Sequence, residues 1–143
     1  MSHQITGAFD VKRTATETID AGGEATFGRF RFEKRFHGDL DATSVVEMLS
    51  AGNPATGSAG YVAVEHVIGA LAGLQGRFML QHNGVMDGGV GSLDLTVVPA
   101  TGTDALEGLR GRMKIDIAEG GAHFYTFDYT VPSEDVEVAA EST

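Results

Sequence analysis

The stretch Arg77-Phe78-Met79-Leu80-Gln81-His82-Asn83-Gly84-Val85-Met86-Asp87-Gly88-Gly89-Val90-Gly91-Ser92-Leu93-Asp94-Leu95-Thr96-Val97 decides the fold. On both sides of Asp87-Gly88, apolar residues alternate with polar ones, the period of a strand that buries one face. Asp-Gly between two such runs signals a two-residue hairpin. Centred there, the turn sets Met86 against Gly89 and pairs Gly84 with Gly91, His82 with Leu93, Leu80 with Leu95, and Phe78 with Val97. One face then carries Phe78, Leu80, His82, Leu93, Leu95 and Val97. The opposite face carries Arg77, Gln81, Asn83, Ser92, Asp94 and Thr96 and belongs to solvent.

The same reading extends in both directions. Upstream, a turn at Ala72-Gly73 pairs Gly69 with Gly76, Val67 with Phe78, Glu65 with Leu80, Ala63 with His82, and Tyr61 with Gly84, which brings Glu65 and Tyr61 to the apolar side. Downstream, a three-residue turn at Glu119-Gly120-Gly121 puts Met113, Ile115 and Ile117 with His123, Tyr125, Phe127 and Tyr129, leaving Arg112, Lys114, Thr126 and Asp128 outside. Alternating windows predict strands over 4–12, 25–37, 39–49, 59–70, 75–86, 89–98, 110–118 and 122–131, with residues 50–57 as a loop. Eight strands joined by hairpins, with a continuous inner apolar face, are best satisfied by an all-β fold closed into an eight-stranded antiparallel β-barrel, because closure leaves no exposed edge. A two-sheet β-sandwich is the alternative. Residues 1–131 read as one domain, and 132–143, with Glu134, Asp135, Glu137 and Glu141, as a flexible acidic tail.

Composition narrows the chemistry. A chain of 143 residues is one domain's worth, and it has no cysteine, so thiol nucleophiles, zinc fingers and iron–sulfur clusters are excluded. Ten Lys and Arg against 20 Asp and Glu leave a net charge of −10, which repels nucleic acid. No run approaches the length of a membrane-spanning helix and the first residues carry no signal-peptide pattern, so the protein reads as soluble and cytoplasmic, with no membrane partner. Twenty glycines, near twice the usual share of about 7%, imply many turns and bends.

Several segments together resemble a bacterial family. They are Gly38-Asp39-Leu40 leading to Glu47-Met48-Leu49, Gly57-Ser58-Ala59-Gly60-Tyr61-Val62-Ala63-Val64-Glu65, and Leu80-Gln81-His82 with Met86-Asp87-Gly88-Gly89. Val98-Pro99 with Thr101-Gly102-Thr103, Gly108-Leu109-Arg110-Gly111, and His123 with Tyr125 and Asp128-Tyr129 complete the set. Their order and spacing, over residues 4–131, resemble the domain of unknown function 3224 family, whose members are similar to allene oxide cyclase-like and dirigent-like barrels. The resemblance implies an eight-stranded antiparallel barrel with a small-molecule-sized interior, often dimeric. Cyclases of similar shape steer a reactive apolar intermediate without a cofactor. The resemblance supplies no activity, and no catalytic residue is transferred from it.

The face assignments alone supply the candidate site. Glu65 among Val67, Phe78, Leu80 and Leu95 is a carboxylate in apolar surroundings, and desolvation is expected to raise its pKa. His82 lies diagonally across the strand pair from Glu65, within reach of it. A carboxylate that fixes one imidazole tautomer makes a general acid/base unit, so Glu65 and His82 are the catalytic candidates. The competing reading is a satisfied buried pair that fixes register. Tyr61, Tyr125 and Tyr129 are expected to aim hydroxyls inward or to serve as aromatic core packing, with Glu47, Phe78, Leu80 and Leu95 completing a substrate-binding wall. Gly69, Gly76, Gly84 and Gly91 on the inner face either leave volume or relieve bending strain. His123 is expected near a barrel mouth beside Ile117.

Other motifs fail. Gly89-Val90-Gly91 has Asp94 where a dinucleotide fingerprint needs its third glycine, the segment Gly102 to Gly108 lacks the Lys of a phosphate loop, and the histidines show no metal spacing. No metal and no cofactor are expected. The functional expectation is a cofactor-independent barrel that admits a mostly apolar small molecule and acts by proton transfer as an isomerase, cyclase or lyase. The alternative is a non-catalytic binding or carrier barrel for a hydrophobic small molecule. A homodimer is expected, and a third reading has the interior packed solid and the outer faces of two barrels as the useful surface, meeting at Val62, Val64 and Ile68.

Overall fold

The computed structural model describes residues 2–132. Eight strands follow one another as β1 (Ser2–Gly22), β2 (Ala25–Phe36), β3 (Leu40–Asn53), β4 (Ser58–Leu71), β5 (Leu74–Asp87), β6 (Val90–Val97), β7 (Arg110–Ile117) and β8 (His123–Thr130). Each is antiparallel to the next, and β8 returns to β1, so the sheet closes into a barrel. The barrel, rather than the sandwich, is the fold. The acidic tail expected over 132–143 lies, from residue 133 onward, outside the described residues.

Turn chemistry sets the register. Ala72 and Gly73 both adopt positive φ, so β4 and β5 meet through a two-residue loop with Glu65 opposite Leu80 and Ala63 opposite His82, as the sequence predicts. The β7–β8 turn likewise pairs Ile117 with His123 and Ile115 with Tyr125. The β5–β6 hairpin differs. Its loop is Gly88-Gly89, and His82 faces Leu95 while Leu80 faces Val97, a slip of two residues from the expected register. Both loop positions have positive φ, 56° and 89°, a conformation that costs glycine least, so the two glycines take the turn and Asp87 remains in the strand. A slip of two preserves side-chain parity, and the inner face is unchanged.

Two strand ends also differ from expectation. β1 runs ten residues beyond the predicted end, through a segment whose side chains at 13–20 are exposed and show no apolar alternation. It is a strand because its backbone pairs with β2 through register shifts near Arg13 and Thr18, and it buries no face. β3 extends into the predicted loop as far as Asn53, whose carboxamide oxygen accepts from the Ala55 amide and caps the short 3₁₀ turn Pro54–Thr56.

The two ends of the barrel are unlike. At the end holding the β2–β3 and β4–β5 turns, the segment joining β6 to β7 folds inward as a 3₁₀ turn at Asp104–Leu106. It buries Leu106 and Leu109 against a core that includes Leu71, Phe78, Val97, Met113 and Phe127. Gly76 makes room for it, because a side chain there would collide with the Thr103 carbonyl. This end is plugged. At the other end β6 and β7 diverge, and the interior stays open. Among the described residues, no helix is long and apolar enough to cross a membrane.

Candidate functional site

Four consecutive strands each send one polar side chain to the floor of the open half. Lys34 of β2 stands directly opposite Ser44 of β3, and Glu65 of β4 is opposite Val46, one inward position along from Ser44. His82 of β5 is opposite Ala63, one inward position along from Glu65. The four form a diagonal across the inner face. Glu65 is fully buried. Its Oε1 accepts from Lys34 Nζ at 3.1 Å and lies 2.7 Å from His82 Nε2, while its Oε2 accepts from Ser44 Oγ at 2.6 Å. An ionised carboxylate can only accept, so Nε2 carries the hydrogen. The Lys34 ammonium also lies 5.0 Å from the centre of the Phe9 ring and 5.7 Å from that of Phe36, within range of both π faces.

This cluster reverses one sequence expectation. Burial does push the Glu65 carboxyl up, but the His82 hydrogen bond, the Lys34 charge and the Ser44 hydrogen bond together outweigh it. The group titrates below the ordinary value of 4.5. The apolar neighbours alone predict a rise, and His82, Lys34 and Ser44 together reverse it. The alternation Phe30-x-Phe32-x-Lys34-x-Phe36 places the lysine on the phenylalanine face, and Ala42-x-Ser44-x-Val46 places the serine on the inner face likewise.

Above the cluster lies a cavity of about 260 Å³, lined by Phe9, Val11, Phe32, Val46, Met48 and Leu93 with Lys34, Tyr61, His82 and His123 as its polar members. Within the described residues His82 Nδ1 makes no hydrogen bond, and His82 is among the residues that line the cavity. The Tyr61 ring lies 6.3 Å from that of His82 and is seated against Gly84, where a Cβ would fall 2.2 Å from a ring carbon. Burial, reinforced by the Glu65 charge, pushes the Tyr61 hydroxyl up to about 12, so it remains a hydrogen-bond donor at neutral pH. His123, opposite Ile117, packs its ring 5.2 Å from Phe9 and joins the cavity wall.

The remaining candidates divide clearly. Glu47 is not on the inner face. It points outward and pairs with Arg31 at 2.8 Å, because β3 keeps its even-numbered residues inside and Glu47 is odd. Phe78, Leu80 and Leu95 are fully buried in the core and do not line the cavity. Tyr125 donates to the His37 carbonyl at 2.7 Å and accepts from the Leu40 amide at 3.1 Å, fastening the β2–β3 turn. Burial raises its pKa, the Leu40 amide opposes that rise, and Asp39 adds to it. Tyr129 packs between His3 and Phe127, each ring 5.2 Å away. Of the four inner glycines, Gly69, Gly76 and Gly84 accommodate close neighbours rather than empty volume. Among the described residues, no three His, Asp or Glu side chains converge as a metal site.

Fold and site define a closed eight-stranded barrel, plugged at one end, with an ion-paired carboxylate and an imidazole beneath an apolar cavity. The profile of the family described as protein of unknown function (DUF3224) matches residues 5–129, and the chain belongs to that family. It is similar to a crystal structure of a DUF3224 protein of unknown function from Shewanella oneidensis MR-1. The two are 47% identical, with a TM-score of 0.84, over 92% of this chain and 98% of the other. No curated protein matches.

Proposed function

We propose that the protein is a cofactor-independent barrel that catalyses proton transfer on a mostly apolar small molecule bearing a carbonyl, as an isomerase, cyclase or lyase. The observation that carries this reading is the Glu65–His82 contact at 2.7 Å beneath the cavity, with Nδ1 making no hydrogen bond among the described residues. In the proposed step, His82 Nδ1 removes a proton from the carbon next to the carbonyl. The electron pair moves onto the oxygen, which receives hydrogen bonds from the Tyr61 hydroxyl and the Lys34 ammonium. Returning the proton at another carbon completes an isomerisation without a change of oxidation state. Ionised Glu65 holds the tautomer and stabilises the imidazolium that forms, a role suited to a carboxylate held below its ordinary range.

The test is deuterium exchange in heavy water across a panel of apolar ketones, followed by NMR. Wild-type protein accelerates exchange next to the carbonyl, and His82→Gln and Glu65→Gln abolish the acceleration. Exchange no faster than in buffer, or unchanged in His82→Gln, refutes catalysis. One observation favours a carrier instead: both Glu65 oxygens are bonded within the protein and its charge is balanced by Lys34, the arrangement of a structural pair. A guest recovered unaltered by mass spectrometry supports that second reading. We also propose a second copy of the chain as partner, seated on the outward stripe of β4, where Val62, Val64 and Ile68 are exposed.

A further inference from the structure

The barrel is closed by pairing, but one seam is short. β6 and β7 are paired only at Leu95 with Met113 and at Thr96 with Arg112, among the described residues. Beyond those two positions the first half of β6 and the second half of β7 diverge. The space between them is a side slot of about 640 Å³. Tyr61, Leu93, Ile115 and Ile117 line both this slot and the internal cavity, so the two spaces adjoin across the same four side chains. The slot is walled mainly by apolar side chains, and Val85, Met86, Leu93 and Ile117 are all exposed there, Ile117 at 66%. Single exposed apolar residues need no explanation, but a cluster beside a gap in the sheet does.

The volumes point to the size of the guest. At about 260 Å³ the cavity falls short of the roughly 300–1,000 Å³ typical of small-molecule sites, and the adjoining slot brings the space into that range. The polar groups are distributed unevenly. Lys34 and His82 lie at the cavity floor and Tyr61 at the junction, whereas Lys114, Asp116 and Ser92 stand at the outer side of the slot. Gly91 is the one inner-face glycine of the four where a Cβ would meet only ordinary van der Waals contacts, its nearest neighbour there being the Met86 side chain at 3.5 Å.

We propose that the guest is an elongated molecule with one polar end, that it enters through the β6–β7 slot, and that it keeps its carbonyl at Lys34, Tyr61 and His82 while its apolar tail lies in the slot. This rests on reading the cavity as a small-molecule site. Gly91 and Met86 line the slot and not the cavity, so substitutions there separate the two ideas. Gly91→Phe fills the slot from a backbone conformation open to any residue. Met86→Asp, at an exposed strand end, lays a charge along the tail's path without adding bulk and serves if Gly91→Phe does not fold.

The probes are methyl ketones with butyl, hexyl and nonyl tails, measured by displacement of anilinonaphthalene sulfonate from the whole protein. In wild type, affinity rises with tail length. In Gly91→Phe and Met86→Asp, affinity for the butyl ketone is kept and that for the nonyl ketone falls about tenfold or more, the effect of leaving about two methylene groups in water. Nonyl affinity unchanged in the folded variants, or no gain with length in wild type, overturns the proposal. If no ketone of any length binds wild type, the cavity reading falls and takes the proposal with it. A change in sedimentation with ligand affinities unmoved assigns the apolar rim to a contact between copies and likewise overturns it.

Discussion

Replacing Glu65 with glutamine keeps the shape of the side chain and its capacity to bond Ser44 and His82, but removes the charge that faces Lys34. The lysine side chain is 7% exposed and has no second carboxylate within salt-bridge range among the described residues. It is left as a buried cation beside two phenylalanine rings. Removing one member of a buried ion pair costs about 3–5 kcal/mol, a large part of the roughly 5–15 kcal/mol that stabilises a domain. With an unfolding entropy of about 2.1 cal/mol/K per residue, a domain spanning residues 2–132 loses about 11–18 °C of midpoint temperature. The assay is thermal and urea unfolding of Glu65→Gln, Lys34→Met and the double variant at neutral pH. The double variant, which leaves no unpaired charge, recovers much of the loss. The pH dependence follows in sign. Because the folded protein holds the Glu65 carboxyl below 4.5, the stabilisation is complete above that value and is lost as pH falls through the lower, folded value. The gap between wild type and Glu65→Gln therefore closes in acid. A loss of less than about 1 kcal/mol, too small for a buried pair, refutes the electrostatic account, and so does strict additivity of the two single variants.

Three further outcomes are expected. Ultraviolet titration finds one tyrosine ionising near pH 12, and Tyr61→Phe removes that transition while leaving the other tyrosines in place. Leu106→Ala, which hollows the plug, lowers stability by about 2–5 kcal/mol in urea melts, and a loss under about 1 kcal/mol shows that the plug is not part of the core. Val64→Glu, on the outer β4 stripe, lightens the particle seen by sedimentation without lowering the melting temperature of the protomer, whereas an unchanged mass removes the stripe from the proposed dimer.

The fold was legible because its information is local. Ala72-Gly73 and Glu119-Gly120-Gly121 each sit between alternating runs and give the observed pairing directly. Asp87-Gly88-Gly89 offered two ways to place two turn residues. The double-glycine placement prevailed, and the side-chain faces survived because the two registers differ by an even number. The extension of β1 was not legible, since residues 13–20 are exposed and bury no periodic face. The site was half legible. Hairpin pairing brings Glu65 and His82 together, but Lys34 reaches the carboxylate from two strands away, and no single turn relates them. A lysine in the run Arg29 to Arg35 resembles one more surface charge unless its parity with Phe30, Phe32 and Phe36 is followed. Glu47 shows the converse: its acidity drew attention, while its odd position on β3 sends it to solvent.

The diagonal from Lys34 through Ser44 and Glu65 to His82 has a consequence for assembly of the chain itself. One carboxylate is bonded to a group from each of three other strands, and all four strands are neighbours. Sliding any one of them by a single residue would turn its member of the quartet out of the barrel and strand the others in oil. Misaligned sheets of this sequence are thus penalised by stranded charge as well as by misplaced apolar side chains, and the acid that anchors the proposed chemistry also serves as a checkpoint that admits one alignment of four strands.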